Sequence, residues 1–266
     1  MWLAVAACAE RPERAIADAE ALTFESRPGE ALKRYEDALL MLAKQTGPRN
    51  DPLLLKALMG AGNVSYLDLQ RPNQALGYFQ TTLQLFPRAE EAVEARLTLA
   101  EIHGALGDDQ SAIAQLLRLC QDFPDHPESD RHQLLLARGY LTQGNYEQAI
   151  VEAQLLGQRS PQSPFAVEAM MLRGSALGLL QRPEAAIEIY AALIERWPDA
   201  ALAHQARYEW GKLLIGLKRD EEAEAILVEA LKGHPQPKMI QRLLAGIRER
   251  LMNRRAASLN ESSRGR

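Results

Sequence analysis

Cysteine is nearly missing from this chain: Cys8 and Cys120 are the only two in 266 residues, and they do not read as a disulfide pair. Cys8 stands near the N-terminus. Cys120 falls inside an apolar helical stretch, where a lone thiol packs as a small hydrophobe. Long apolar runs are also missing, and without ~18–20 consecutive apolar residues no segment beyond the first few is expected to span a membrane. A strong positive charge is lacking, since the net charge is −4, which argues against a general nucleic-acid binder. Aromatics make up only 6% of the residues. Catalytic signatures are missing as well: there is no His-Glu-x-x-His, no Gly-x-Ser-x-Gly and no phosphate-cradling Gly-x-x-x-x-Gly-Lys. The histidines, His103, His126, His132, His204 and His234, are scattered over four units and form no recognised metal-binding motif. No metal, no cofactor and no enzyme activity are therefore expected.

What the chain does have is a period. Ala75, Ala112, Ala149, Ala186 and Ala223 step by 37 residues, and so do Pro87, Pro124, Pro161, Pro198 and Pro235. Fixed periods of this size mark stacked supersecondary units. Twelve residues before each alanine stands Asn63, Ala100, Ala137, Gly174 or Gly211, and four after it stands Phe79, Leu116, Ala153, Tyr190 or Leu227. Small residues at facing points let two helices approach, and a bulky residue fills the gap beside them. Turn residues separate the two: Leu69-Gln70-Arg71-Pro72 recurs verbatim at 180–183, and Gly107-Asp108-Asp109 and Gly144-Asn145-Tyr146 hold the same place. Glycine ends one helix, and proline, or an N-capping aspartate such as Asp108, opens the next. Each unit is a helical hairpin that buries its apolar face only by stacking on its neighbours.

The second unit, with Gly62, Tyr66, Ala75, Phe79 and Pro87, and the fourth, with Ala137, Tyr140, Gly144, Ala149 and Pro161, resemble the tetratricopeptide repeat. That resemblance covers residues 56–235. It implies an all-α fold, a right-handed solenoid of about six hairpins with a C-terminal capping helix. The usual unit is 34 residues; the three extra here follow the proline, as in 123–129 and 160–166. Joints of that length resemble bacterial envelope lipoproteins of the BamD and Tol-Pal-associated coordinator type.

Residues 10–52 read as an irregular first hairpin and loop, because Ala31 to Ala75 is a step of 44 and the insertion falls in Lys44–Pro52. Regular units fill 53–235. Residues 236–255, with Ile240, Leu243, Leu244, Ile247 and Leu251 at helical spacing, read as the capping helix, and 256–266 as a disordered tail. Residues 236–266 hold eight Lys/Arg and two Glu, leaving −10 on residues 1–235. No aromatic residue interleaves those charges, so a solvated amphipathic face is the plainer reading. At the other end, Val5-Ala6-Ala7-Cys8 fits a bacterial lipobox, although seven residues without Lys or Arg are short for a signal. Two readings stand: residues 1–9 are a truncated lipoprotein signal with lipidation at Cys8, or a short apolar helix end.

The resemblance implies a groove lined by the first helix of each unit. With motif position one at Lys56, Val93, Asp130, Val167 and His204, the groove residues are Ala57, Gly60 and Val64; Glu94, Leu97 and Glu101; Arg131, Leu134 and Arg138; Glu168, Met171 and Ser175; Gln205, Tyr208 and Lys212. Charged groups flank the apolar rungs Leu97, Leu134, Met171 and Tyr208, a lining that suits a peptide or protein segment. The expected function is a scaffold for protein interactions: a lipid-anchored protein on the periplasmic side of the outer membrane supporting an envelope complex, or alternatively a cytoplasmic adaptor without an anchor.

Overall fold

The computed structural model describes residues 11–44 and 51–264, with side chains as far as Ser258. Cys8, residues 1–10 and most of the inserted loop lie outside the described residues. Among those described, every regular element is helical, and the chain divides into two compact units between Asp125 and His126.

The first unit contains three hairpins: α1 (Pro12–Phe24) with α2 (Pro28–Ala43), α3 (Asp51–Asn63) with α4 (Pro72–Leu85), and α5 (Glu91–Ala105) with α6 (Asp109–Asp122). The second contains α7 (Ser129–Gln143) with α8 (Tyr146–Arg159), α9 (Ala166–Leu179) with α10 (Pro183–Arg196), and α11 (Ala201–Gly216) with α12 (Asp220–Leu231), followed by α13 (Pro237–Arg264). Within the second unit α7, α9 and α11 also lie against one another, so the first helices of successive hairpins stand side by side. Each unit has hydrophobic clusters of its own.

Every hairpin turn passes through one left-handed residue: Ser26, Gln70, Gly107, Gly144, Gln181 and Lys218. Glycine adopts that conformation without penalty, whereas a residue with a Cβ gives up roughly 1–2 kcal/mol. The second helix then starts with proline in its first turn at Pro28, Pro72 and Pro183. At α6 and α8 a side chain caps it instead, where Asp108 accepts from the Ser111 amide (3.1 Å) and Asn145 from the Gln148 amide (3.3 Å), whereas α12 has no side-chain cap at Arg219. The hydroxyl and amide of Ser111 hold the Asp108 carboxyl below its usual range.

The small-to-large pairing is physical contact. The space a Cβ on Gly174 would take is filled by the Tyr190 ring, and that of Gly211 by Leu227. In the second hairpin, however, the matching glycine is Gly62, under the Phe79 ring, one residue earlier than the 12-residue spacing places it. The cause is a π turn over Val64–Asp68, where the Leu69 amide reaches back to the Val64 carbonyl (3.0 Å). At the turn the Arg71 amide bonds the Ser65 carbonyl, six residues back, whereas Asp108, Asn145, Arg182 and Arg219 all reach five. One inserted residue is thus absorbed in the π turn that continues α3.

The capping helix fits the expectation through Ile240, Leu244, Ile247 and Leu251, which are buried against Leu227 and Ala230. Asp220, at the start of α12 with its side chain 1% exposed, accepts from Arg250 (2.6 Å) and from Arg254, and Glu224 accepts from Arg248 (2.6 Å). Three of the basic residues at this end therefore hold the cap down. Where a disordered tail was expected from 256, the helix instead continues to Arg264. No proline follows Pro237, and Ala256, Ala257, Leu259 and Glu261 are good helix formers.

Candidate functional site

The first helices do present a continuous face in each unit, but not with every residue expected on it. In the first unit Glu94 and Glu101 are exposed and Leu97 is half-buried along one side of α5. Glu94 accepts from the Asn63 side chain (2.9 Å), and Lys56 pairs with Glu20 (2.8 Å). The π turn explains the error at α3. Ala57 (0% exposed) and Val64 (2%) are core residues, and Gly60 lies under the Tyr35 ring. The slip of one residue moves Lys56 and Asn63 onto the face in their place.

In the second unit Arg138 pairs with Glu168 from α7 to α9, Arg131 pairs with Glu128 (2.9 Å), and Met171 and Ser175 are half-buried. Leu134 is not available to a ligand: it is 3% exposed, inside a cluster with Ala137, Ala149 and Leu156. Tyr208 is 8% exposed, its ring between that of His234 (centroids 4.9 Å apart) and the Lys212 ammonium (5.1 Å). Leu97, Leu134, Met171 and Tyr208 share one register position, yet two are covered and two are not.

A trough runs along α9, α10 and α11. It comprises two adjoining cavities of about 320 Å³ each, which share Gly178, Lys212 and Leu213. Ser175, Tyr190 and Glu209 complete the wall. A chain of hydrogen bonds sets its charged groups. The Gln236 amide donates to His234 Nδ1 (3.0 Å), which leaves Nε2 protonated to donate to Gln205 Oε1 (2.8 Å). Gln205 Nε2 then donates to Glu209 Oε1 (3.0 Å), and Lys212 Nζ donates to Glu209 Oε2 (2.7 Å). Of the expected groove residues, Ser175 and Lys212 line the trough, and Gln205 and Tyr208 stand behind it against Glu209 and Lys212.

Tyr190, Glu209 and Gly178 belong to the trough and were not expected there, although the period holds the signal. Glu209 occupies the place of Leu135 and Leu172, and Gly178 that of Leu141 and Ile215. A Cβ on Gly178 would meet only Leu213 Cδ2, at 3.8 Å. The trough is open because the side chain that both flanking hairpins carry at this place is missing, as it also is at Gly104 of the third hairpin.

Chemically the trough offers hydrogen bonds and one ion pair. Burial pushes the Tyr190 hydroxyl up to about 12, against the opposing hydrogen bond from Ser175 (3.3 Å), so it remains a neutral phenol that donates and accepts. Among the described residues no group of three or more His, Cys, Asp or Glu is arranged to hold a metal, and no helix is long and apolar enough to cross a membrane.

Residues 64–127, 134–201 and 180–239 match the sequence model of the tetratricopeptide repeat. No curated protein matches the sequence. Solved structures share the arrangement of helices. A tetratricopeptide repeat protein from Parabacteroides merdae ATCC 43184 is 13% identical, with 89% of this chain and 98% of that one covered and a TM-score of 0.55. MamA from Desulfovibrio magneticus RS-1 is 16% identical over 67% of this chain and 94% of its own, at 0.53. YrrB, described as having an unusual peptide-binding site, is 21% identical over 72% and 89%, at 0.51.

Proposed function

The chain belongs to the tetratricopeptide repeat family, and from that premise we propose that it is a non-catalytic scaffold whose trough between α9 and α11 holds a segment of a partner protein. The observation that carries this reading is the conjunction at Gly178: a side chain is missing where Leu141 and Ile215 stand in the flanking hairpins, and, unlike at Gly104 of the third hairpin, the gap lies beside a Glu209–Lys212 pair fixed in place by His234 and Gln205. Fixed donors and acceptors beside an open apolar strip suit a peptide, whose backbone supplies both partners. YrrB, which has the same kind of fold, has a peptide-binding site of its own.

The test is to compare the proteins recovered by the native chain and by Gly178→Leu. The substitution fills the trough in the way Leu141 fills its own hairpin, and it replaces a helical glycine, so the melting temperature should hold or rise. Loss of a specific partner at unchanged helicity supports the trough. Recovery of the same partner at the same yield would remove it.

For its setting, we propose the periplasmic side of the outer membrane, with an anchor on Cys8 and a role in assembling an envelope complex. The small residues before Cys8 and the long inter-repeat joints support this reading. Intact mass and fractionation of the protein made in a Gram-negative host from its full upstream reading frame, beside Cys8→Ser, decide it. A lipid-sized mass increase lost in the variant supports the anchor, and an unmodified soluble product makes the chain a cytoplasmic adaptor.

A further inference from the structure

A second cavity, of about 220 Å³, lies between α8, α9 and the end of α10. At 100° per residue, its α9 wall (Ala169, Met170, Arg173) is on the opposite side of that helix from Glu168, Met171 and Ser175. It is therefore separate from the trough. Two departures from the repeat create it. Gly157 stands where other hairpins carry Leu83, Cys120, Ile194 and Leu231, and a Cβ there would meet nothing within 4 Å. Arg173 stands where Leu99 (0% exposed) and Leu136 (1%) are core residues. One hairpin withdraws a side chain, and the next directs a guanidinium to the vacated space.

The buried end of that guanidinium lacks an acceptor. Arg173 Nε is buried with no hydrogen-bond partner, and among the described residues no carboxylate lines the cavity. Arg196 supplies a second cation; it donates to the Pro161 carbonyl (2.5 Å) and rests over the Trp197 ring (4.6 Å), which together with Met170 gives an apolar wall. A buried donor without an acceptor is destabilising by roughly 1–3 kcal/mol, so an arginine in a leucine position calls for an anion. The volume equals about seven waters at ~30 Å³ each, enough for one side chain. We propose that this cavity binds a carboxylate carried on a short apolar stem, held by Arg173 and Arg196 with the stem against Trp197. Guanidinium meets carboxylate through paired hydrogen bonds, and the apolar wall favours such an acid over a bare anion. The carboxylate comes either from a free small acid or from an acidic side chain of a bound peptide.

The experiment titrates the full chain with 3-phenylpropionate and with 3-phenylpropionamide, and separately with an N-acetylated peptide amide carrying one internal Glu among Ala and Leu. Binding is followed by the indole resonance of Trp197, assigned with Trp197→Phe. The acid should shift that resonance saturably and the amide should not. Arg173→Met and Gly157→Leu should each weaken the acid at least tenfold at unchanged or higher melting temperature, while the trough variant Gly178→Leu leaves it unaffected. Binding of the free acid alone identifies a small-molecule site, and binding of the peptide too identifies an acidic side chain as occupant. Equal binding of acid and amide, native affinity in Gly157→Leu, or no saturable binding by either acid or peptide would overturn the proposal.

Discussion

At the level of single residues, the repeats act as controls for one another. Lys218 adopts φ 60° at the place where Gly107 and Gly144 stand. Lys218→Gly should therefore stabilise the protein by about 0.5–1 kcal/mol, less than the full left-handed penalty because glycine also loses more entropy on folding. Urea unfolding measures it; an unchanged or lower midpoint would mean that the lysine makes a compensating contact. The same comparison shows what the sequence could tell about the site. Position in the repeat puts Arg138, Glu168, Ser175 and Lys212 on the first helices, where Arg138 pairs with Glu168 and Ser175 and Lys212 line the trough. It did not reveal that Leu134 is covered by its own cluster, or that Tyr208 lies under His234, because periodicity says which side of a helix a residue occupies and not what overhangs it. Gly178 and Glu209 were legible only as departures from Leu141 and Leu172, a signal that comes from looking across copies.

For elements, the period showed the hairpins and hid the π turn. The alanine and proline series are set by the turns and second helices, so a residue gained in the π turn leaves both series intact. Leu67, 67% exposed within that turn, is the residue to remove. Its deletion should let α3 close as a plain α-helix with Gly62 still under Phe79, with the midpoint of unfolding changed by less than about 1 kcal/mol. A loss above about 3 kcal/mol, or of helicity, would show the turn to be required. The cap supplies the pH-dependent prediction. Arg250, by its hydrogen bond, holds the Asp220 carboxyl below its usual range against the opposing effect of burial, and Arg254 adds to it. A depressed carboxyl stabilises the fold fully above its unfolded value of about 3.9 and loses that contribution as pH falls through the folded one. Asp220→Asn should therefore destabilise the protein at pH 7, and the gap from native should narrow as pH drops below about 4. Thermal melts at pH 7 and pH 3 check this, and an equal gap at both would assign the effect to packing.

Over the whole molecule, nothing in the spacing marks where one compact unit ends. Ala112 to Ala149 is the same 37 residues as every neighbouring step, yet the division falls between Asp125 and His126. The period fixes what each copy is, whereas the grouping depends on which copies share a core, and the clusters of buried residues fall within one unit or the other. Residues 126–266, which carry three hairpins and their cap, should fold alone with the per-residue helicity of the full chain and a single urea transition. An unfolded or molten fragment would show that the second unit depends on the first.

The six left-handed turn residues also bear on the order of events during folding. Only Gly107 and Gly144 close their hairpins without a Cβ penalty, so α5 with α6 and α7 with α8 meet the lowest barrier to nucleation, one in each unit. Structure should then grow outward from these two hairpins, so that in pulse-labelled hydrogen exchange the hairpins closed by Ser26 and Lys218 gain protection last. Equal rates of protection in all six turns would mean that packing, and not the turn residue, decides which copy seeds the fold.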